Sequence, residues 1–107
     1  VQLSYTDTAP RDYKSLNAIV VPLSEYFAIL CMYTQPTGQS HWVARQFWRY
    51  NVHLSKIAAE YEFAAVVEYH MEFFQRCRGE MQRHGDYSGW GRPDVELMST
   101  LLYDRRK

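Results

Sequence analysis

The side chains with the most chemical potential in this sequence are four histidines, two cysteines and a group of arginines set among tryptophans. His41, His53, His70 and His84 are spaced too widely for the short-range His/Cys pairs of zinc modules, and no HExxH occurs. His70 and Cys77 share one side of a helical pattern, but two turns separate them by roughly 10 Å along the axis, beyond the reach of one ion. Glu68, His70 and Glu72 alternate across a helix, so they point to different sides and form no acid–base pair. Gly85, Gly89 and Gly91 follow no strand pattern, so they read as a helix connection and not as a phosphate cradle. The expectation is a non-enzymatic chain with no metal and no cofactor.

The arginines support a binding hypothesis. Arg45, Trp48 and Arg49 cluster on one side of a long periodic run, and Arg76, Arg78 and Arg83 close the next. Phosphate contact combined with base stacking needs this mixture. Against it, Glu60, Glu62, Glu68, Glu72 and Glu80 interleave with the bases, and twelve basic residues cancel twelve acidic ones. A neutral domain lacks the general positive field of a nucleic-acid binder, and a charged helix side is ordinarily a solvated one. Nucleic-acid binding through Arg45, Arg49, Arg76 and Arg83 is therefore the alternative. Aromatics make up 16% of the chain, and Tyr and Trp enrich protein interfaces as well as cores. The leading expectation is contact with a protein partner, or with a second copy, through Trp42, Trp48, Tyr87 and Trp90.

The elements that must position these groups follow from periodicity. Val43, Phe47, Tyr50, Leu54, Ile57 and Tyr61 recur at steps of four and three, one stripe of a helix. Val66/Val67, His70, Phe73/Phe74, Cys77 and Met81 continue the pattern, with no Gly or Pro dividing the two runs. A single helix over 40–84 would exceed about 60 Å, whereas a domain of this size has a radius of gyration near 13 Å. A hairpin turning at 61–64 is therefore expected, with Ser40 as the N-cap of its first helix. Upstream, 1–12 reads as an arm, and 12–21 as a short helix or strand. A helix over 22–34 starts on Pro22, with Leu23, Phe27, Leu30 and Cys31 as its stripe, widened by Ile29 and Tyr33. It is apolar nearly all round, which predicts a central position in the core. Gln35-Pro36-Thr37-Gly38 is a turn, 84–91 a loop, and Pro93 opens a last helix ending in a frayed basic tail at 104–107.

These elements make one all-α domain over 1–107, a compact bundle of four or five helices around a central hairpin. Two separated cysteines without a CxxC motif favour a reducing, intracellular setting. The apolar run 18–33 is interrupted by Pro22, Ser24 and Glu25, so no membrane span is expected. The start at Val1 suggests a piece of a larger protein.

The stretch 42–76 resembles the Gag-like, capsid-type regions of retrotransposons, particularly DIRS-type and related elements. The resemblance is carried by Trp42 and Phe47, Tyr50 and Leu54, Ala58, Ala59, Tyr61 and Phe63, then Val66, Val67, Tyr69, His70 and Phe73. That family's pattern ends Tyr-Asp-x-x-Phe-Arg; here His70 and Phe74 stand where Asp and Arg would. The resemblance implies a helical module that self-associates and packages or accompanies nucleic acid, with a helix break near Phe63 and no catalytic residues.

Overall fold

Residues 15–107 are described by the computed structural model; the arm expected at 1–12 lies outside them. Four α-helices follow one another: α1 (Asn17–Thr34), α2 (Ser40–Glu60), α3 (Phe63–His84) and α4 (Val95–Leu101), with 3-10 turns at Gln35–Thr37 and Ser88–Gly91. The fold is all-α, and no strand occurs among the described residues.

The first helix begins earlier than Pro22 predicts. It runs unbroken from Asn17, with Pro22 inside it, so the separate element expected at 12–21 does not exist over its described part. Tight bonds from Ala18 and Ile19 N–H to the Ser15 and Leu16 carbonyls start the first turn. Proline near a helix start loses only one ladder bond, and Ser24 Oγ donates to the Val20 carbonyl at 2.7 Å just beyond it. Gly38, at φ 79° in the left-handed region that suits glycine, closes the following turn.

Ser40 is the first helical residue of α2 and not its cap. Gln39 takes the cap position, with no side-chain capping bond.

The hairpin is present. α2 stops at Glu60 and α3 starts at Phe63, which places Tyr61 and Glu62 in extended conformations between them. Val43, Tyr50, Leu54, Ile57 and Tyr61 from the first stripe are buried, as are Val66, Val67, His70, Phe73 and Cys77 from the second. The Cα radius of gyration is 13.8 Å, close to the 13 Å or so that chain length suggests.

The tail expected to fray is ordered. Glu62 N–H donates to the Arg105 carbonyl at 2.8 Å, and Lys107 N–H donates to the Glu60 carbonyl at 3.1 Å, an antiparallel bridge between Tyr61 and Arg106. α4 begins after Asp94 and not at Pro93; Asp94 Oδ1 accepts from Leu97 N–H at 3.0 Å as the N-cap.

Candidate functional site

Trp90 does not belong to a contact surface. It is 1% exposed, with ring centroids of Phe27 at 4.9 Å, Phe74 at 5.4 Å, Tyr50 at 5.5 Å, Phe73 at 6.0 Å and Tyr26 at 6.4 Å. Its indole N–H points to Met81 Sδ at 3.3 Å. The physical reason is the pair of flanking glycines. Gly89 lies over Cys77, and Gly91 sits so close to Gln46 that a Cβ there would fall 2.1 Å from Oε1. The short turn can therefore lie flat on α2 and α3 and drive the indole inward. Tyr87 is half-buried against the same core. Trp48, at 67% exposure, and Trp42, at 42%, remain on the surface.

The four nominated arginines divide. Arg76 pairs with Asp94, and Arg83 with Glu80 at 3.4 Å. Arg45 and Arg49 lie on exposed α2 positions, and among the described residues no carboxylate comes within 4 Å of their guanidinium groups. Val52 and Lys56 continue their line at helical spacing, beside exposed Trp48. The acids that interleave in sequence are elsewhere in space: Glu60 pairs with Arg106, and Glu62 and Glu68 with Arg105. The structure brings Arg45, Arg49 and Trp48 together and leaves Arg76 and Arg83 on α3.

His53, beside this stripe, is half-buried, and its Nε2 meets Tyr69 Oη at 3.1 Å. Asp94 N–H donates to the same oxygen at 3.2 Å, so the relay ties α2, α3 and α4 together. Burial, reinforced by Lys56, lowers the His53 pKa, and burial pushes the Tyr69 phenol up to about 12. A cleft of about 170 Å³ above it is lined by Arg49, His53, Lys56, Trp90 and Pro93, below the ~300 Å³ at which small-molecule sites begin. Deeper in the core, a 2.6 Å hydrogen bond joins Tyr50 Oη and His70 Nδ1. Burial lowers the His70 pKa to about 4 and raises that of Cys77 to about 12. Both groups are held neutral, which suits packing and not proton transfer or nucleophilic attack. Among the described residues no three His, Cys, Asp or Glu gather as metal ligands.

Four large hydrophobic side chains, Val21, Ile29, Met32 and Tyr33, are exposed on α1, which is not central to the core as its composition predicts. Ile19, Leu23 and Phe27 are buried, but Val21, Glu25, Ala28, Ile29, Met32 and Tyr33 face outward. Met32 is 74% and Tyr33 77% exposed. Val21, Glu25, Ala28 and Met32 form one line at steps of four, three and four, and Glu25 is the helix's one charge. Because α1 runs through Pro22, Asn17–Thr37 is also long and apolar enough to cross a membrane by length and composition, which the interrupted sequence did not suggest. Full burial, a membrane span and an unpartnered face each account for a helix apolar nearly all round, and sequence alone does not separate them.

No protein-family model, curated protein or solved structure matches this chain.

Proposed function

We propose that this chain is a non-enzymatic assembly module that associates with a second copy of itself through the outer face of α1. The observation that carries the reading is the exposed, largely apolar line Val21–Glu25–Ala28–Met32, in which Glu25 is the one charge, flanked by Ile29 and Tyr33. Exposed apolar side chains scattered singly need no explanation, but a contiguous stripe along one helix marks a contact site. Two features favour self-pairing. A face with Glu25 as its one charge offers little for a highly charged partner to complement, and small Ala28 near its middle lets two helices approach closely. The resemblance of 42–76 to capsid-type regions points the same way.

One side of an 18-residue helix, about 27 Å long and 10 Å wide, is smaller than the roughly 800 Å² per partner of a standard interface. The association is accordingly weak, with Kd of about micromolar or higher. Light scattering over a concentration series tests it. Wild type forms a reversible dimer that dissociates on dilution, and Val21→Glu with Met32→Glu abolishes it without shifting the unfolding midpoint, since both positions are exposed. A wild-type protein that stays monomeric at about 1 mM, or that instead partitions onto neutral lipid vesicles, overturns the reading.

A second reading rests on a different observation, the exposed basic stripe Arg45–Arg49–Lys56 beside Trp48, whose two arginines have no carboxylate within 4 Å among the described residues. It fits single-stranded nucleic acid, with phosphates on the cations and a base on the indole. A labelled oligonucleotide that shows no shift at low salt excludes it.

A further inference from the structure

Nothing local ends α2 or starts α3. Residues 40–78 contain neither Gly nor Pro, and Ala58, Ala59, Glu60, Ala64 and Ala65 favour helix across the break. α2 has no basic residue in its last turn, and α3 has no acidic residue in its first turn and no side-chain cap on Glu62. Glu60 sits at the negative end of its helix, where a carboxylate is unfavourable. The extended conformation of Tyr61 (φ −115°, ψ 160°) and Glu62 (φ −57°, ψ 137°) is held instead by the C-terminal tail. Two backbone hydrogen bonds bracket the hinge, from Glu62 N–H to Arg105 and from Lys107 N–H to Glu60. Arg105 reaches Glu68 at 2.5 Å and Glu62 at 4.0 Å, Arg106 pairs with Glu60, and the Arg106 guanidinium lies 5.4 Å over the Tyr61 ring.

We propose that residues 105–107 are a latch that keeps the α2–α3 hairpin closed, and that its release lets α2 and α3 fuse into one helix and the chain exchange halves with a second copy. Latched and fused states exclude each other, because Tyr61 and Glu62 must leave the extended conformation to join a helix, and the bridge to the tail then has no partner. Fusion satisfies the N–H groups of the first turn of α3 within a helix, which offsets the lost bridge. A fused 40–84 helix, roughly 65 Å long, cannot fold back on itself. Its apolar stripes are covered only when α1 and α2 of one copy pack on α3, the Trp90 turn and α4 of another. The same pairs then form between chains, among them Tyr50 with His70 and Phe73, His53 with Tyr69, and Phe27 with Trp90. Exchange of an identical element is a low-cost route to dimers when a hinge releases.

This mode does not use the α1 face, so its test is run in the Val21→Glu/Met32→Glu background, in which that face is closed. The protein, with and without Arg105→Glu/Arg106→Glu, is refolded at about 1 mM and its mass measured by light scattering after gel filtration. The charge reversal sets two more carboxylates against Glu60, Glu62 and Glu68, and it raises the dimer share roughly tenfold or more. Adding Phe63→Pro returns the protein to monomer: proline fits the first helical position after an extended Glu62 but breaks a continuous helix. If the charge reversal does not fold, Lys107→Pro, which removes one latch hydrogen bond, is read in the same way. A folded monomer in the latch variant, or a dimer that survives Phe63→Pro, overturns the proposal.

Discussion

His70 shows how a single buried residue makes stability depend on pH. It is 1% exposed and bonded to Tyr50, and burial lowers its pKa from the usual 6.5 to about 4. Between those values the unfolded chain binds a proton that the folded chain refuses. Stability is therefore fully present above pH 7 and falls as pH drops from 6.5 toward 4, by up to about 3 kcal/mol. His53, also lowered by burial, contributes with the same sign. Urea midpoints at pH 7, 6 and 5 should decline in order, and His70→Gln should remove most of the slope. A midpoint that does not move would show that the imidazole is not buried neutral.

Gly91 gives a second test at this scale. A Cβ there meets Gln46 Oε1 at 2.1 Å and Arg49 Cδ at 3.1 Å, and Gln46 is buried with little room to yield. Gly91→Ala should cost about 1–3 kcal/mol, the range for overpacking. Gly89→Ala meets only Cys77 Sγ at an ordinary 3.6 Å and should fall within about 1 kcal/mol of wild type. Equal losses at the two glycines would mean that helix 3-10 propensity, and not the Gln46 contact, governs the turn.

At the scale of elements, what was legible in the sequence depended on whether the cause was local. The stripes of α2 and α3 were readable because the helical period is written residue by residue, and chain dimensions placed the break in 61–64, where Tyr61 and Glu62 lie. The agent holding that break was not readable, because Arg105 and Arg106 reach it from the far end of the chain. Pro22 misled for a related reason: it is compatible with a helix start, but the turn before it had too few polar residues to show that the helix was already running. Trp90 was misplaced because the Ser88–Gly91 turn has no period, although glycines on both sides of an indole signal a close approach to neighbouring backbone. The turn is a core element, so Trp90→Ala should cost about 3–5 kcal/mol, whereas Trp48→Ala should stay within about 0.5 kcal/mol. Acrylamide quenching of single-tryptophan variants checks the assignment independently: the Trp90 emission should be shielded and that of Trp48 readily quenched.

For the whole molecule, zero formal charge conceals a division of surfaces, and ionic strength separates them. The glutamates around the hinge and on α3 pair largely with arginines of the tail and α3. Among the described residues this leaves Arg45 and Arg49 without a carboxylate within 4 Å, and α1 with Glu25 as its one charge. The proposed contact through α1 is largely apolar, so the dissociation constant of such a dimer should change little between 50 and 200 mM salt. Binding of a single strand to Arg45, Arg49 and Lys56 releases counterions from about three phosphates; with a slope near −0.7 per phosphate, affinity should fall roughly twentyfold over the same interval. Arg45→Ala should lower that slope by about 0.7 and leave the dimer unchanged, while Met32→Glu should do the reverse. If salt and Arg45→Ala weaken the dimer as well, the two faces are not independent, and the proposed self-association through the apolar face of α1 is the wrong description.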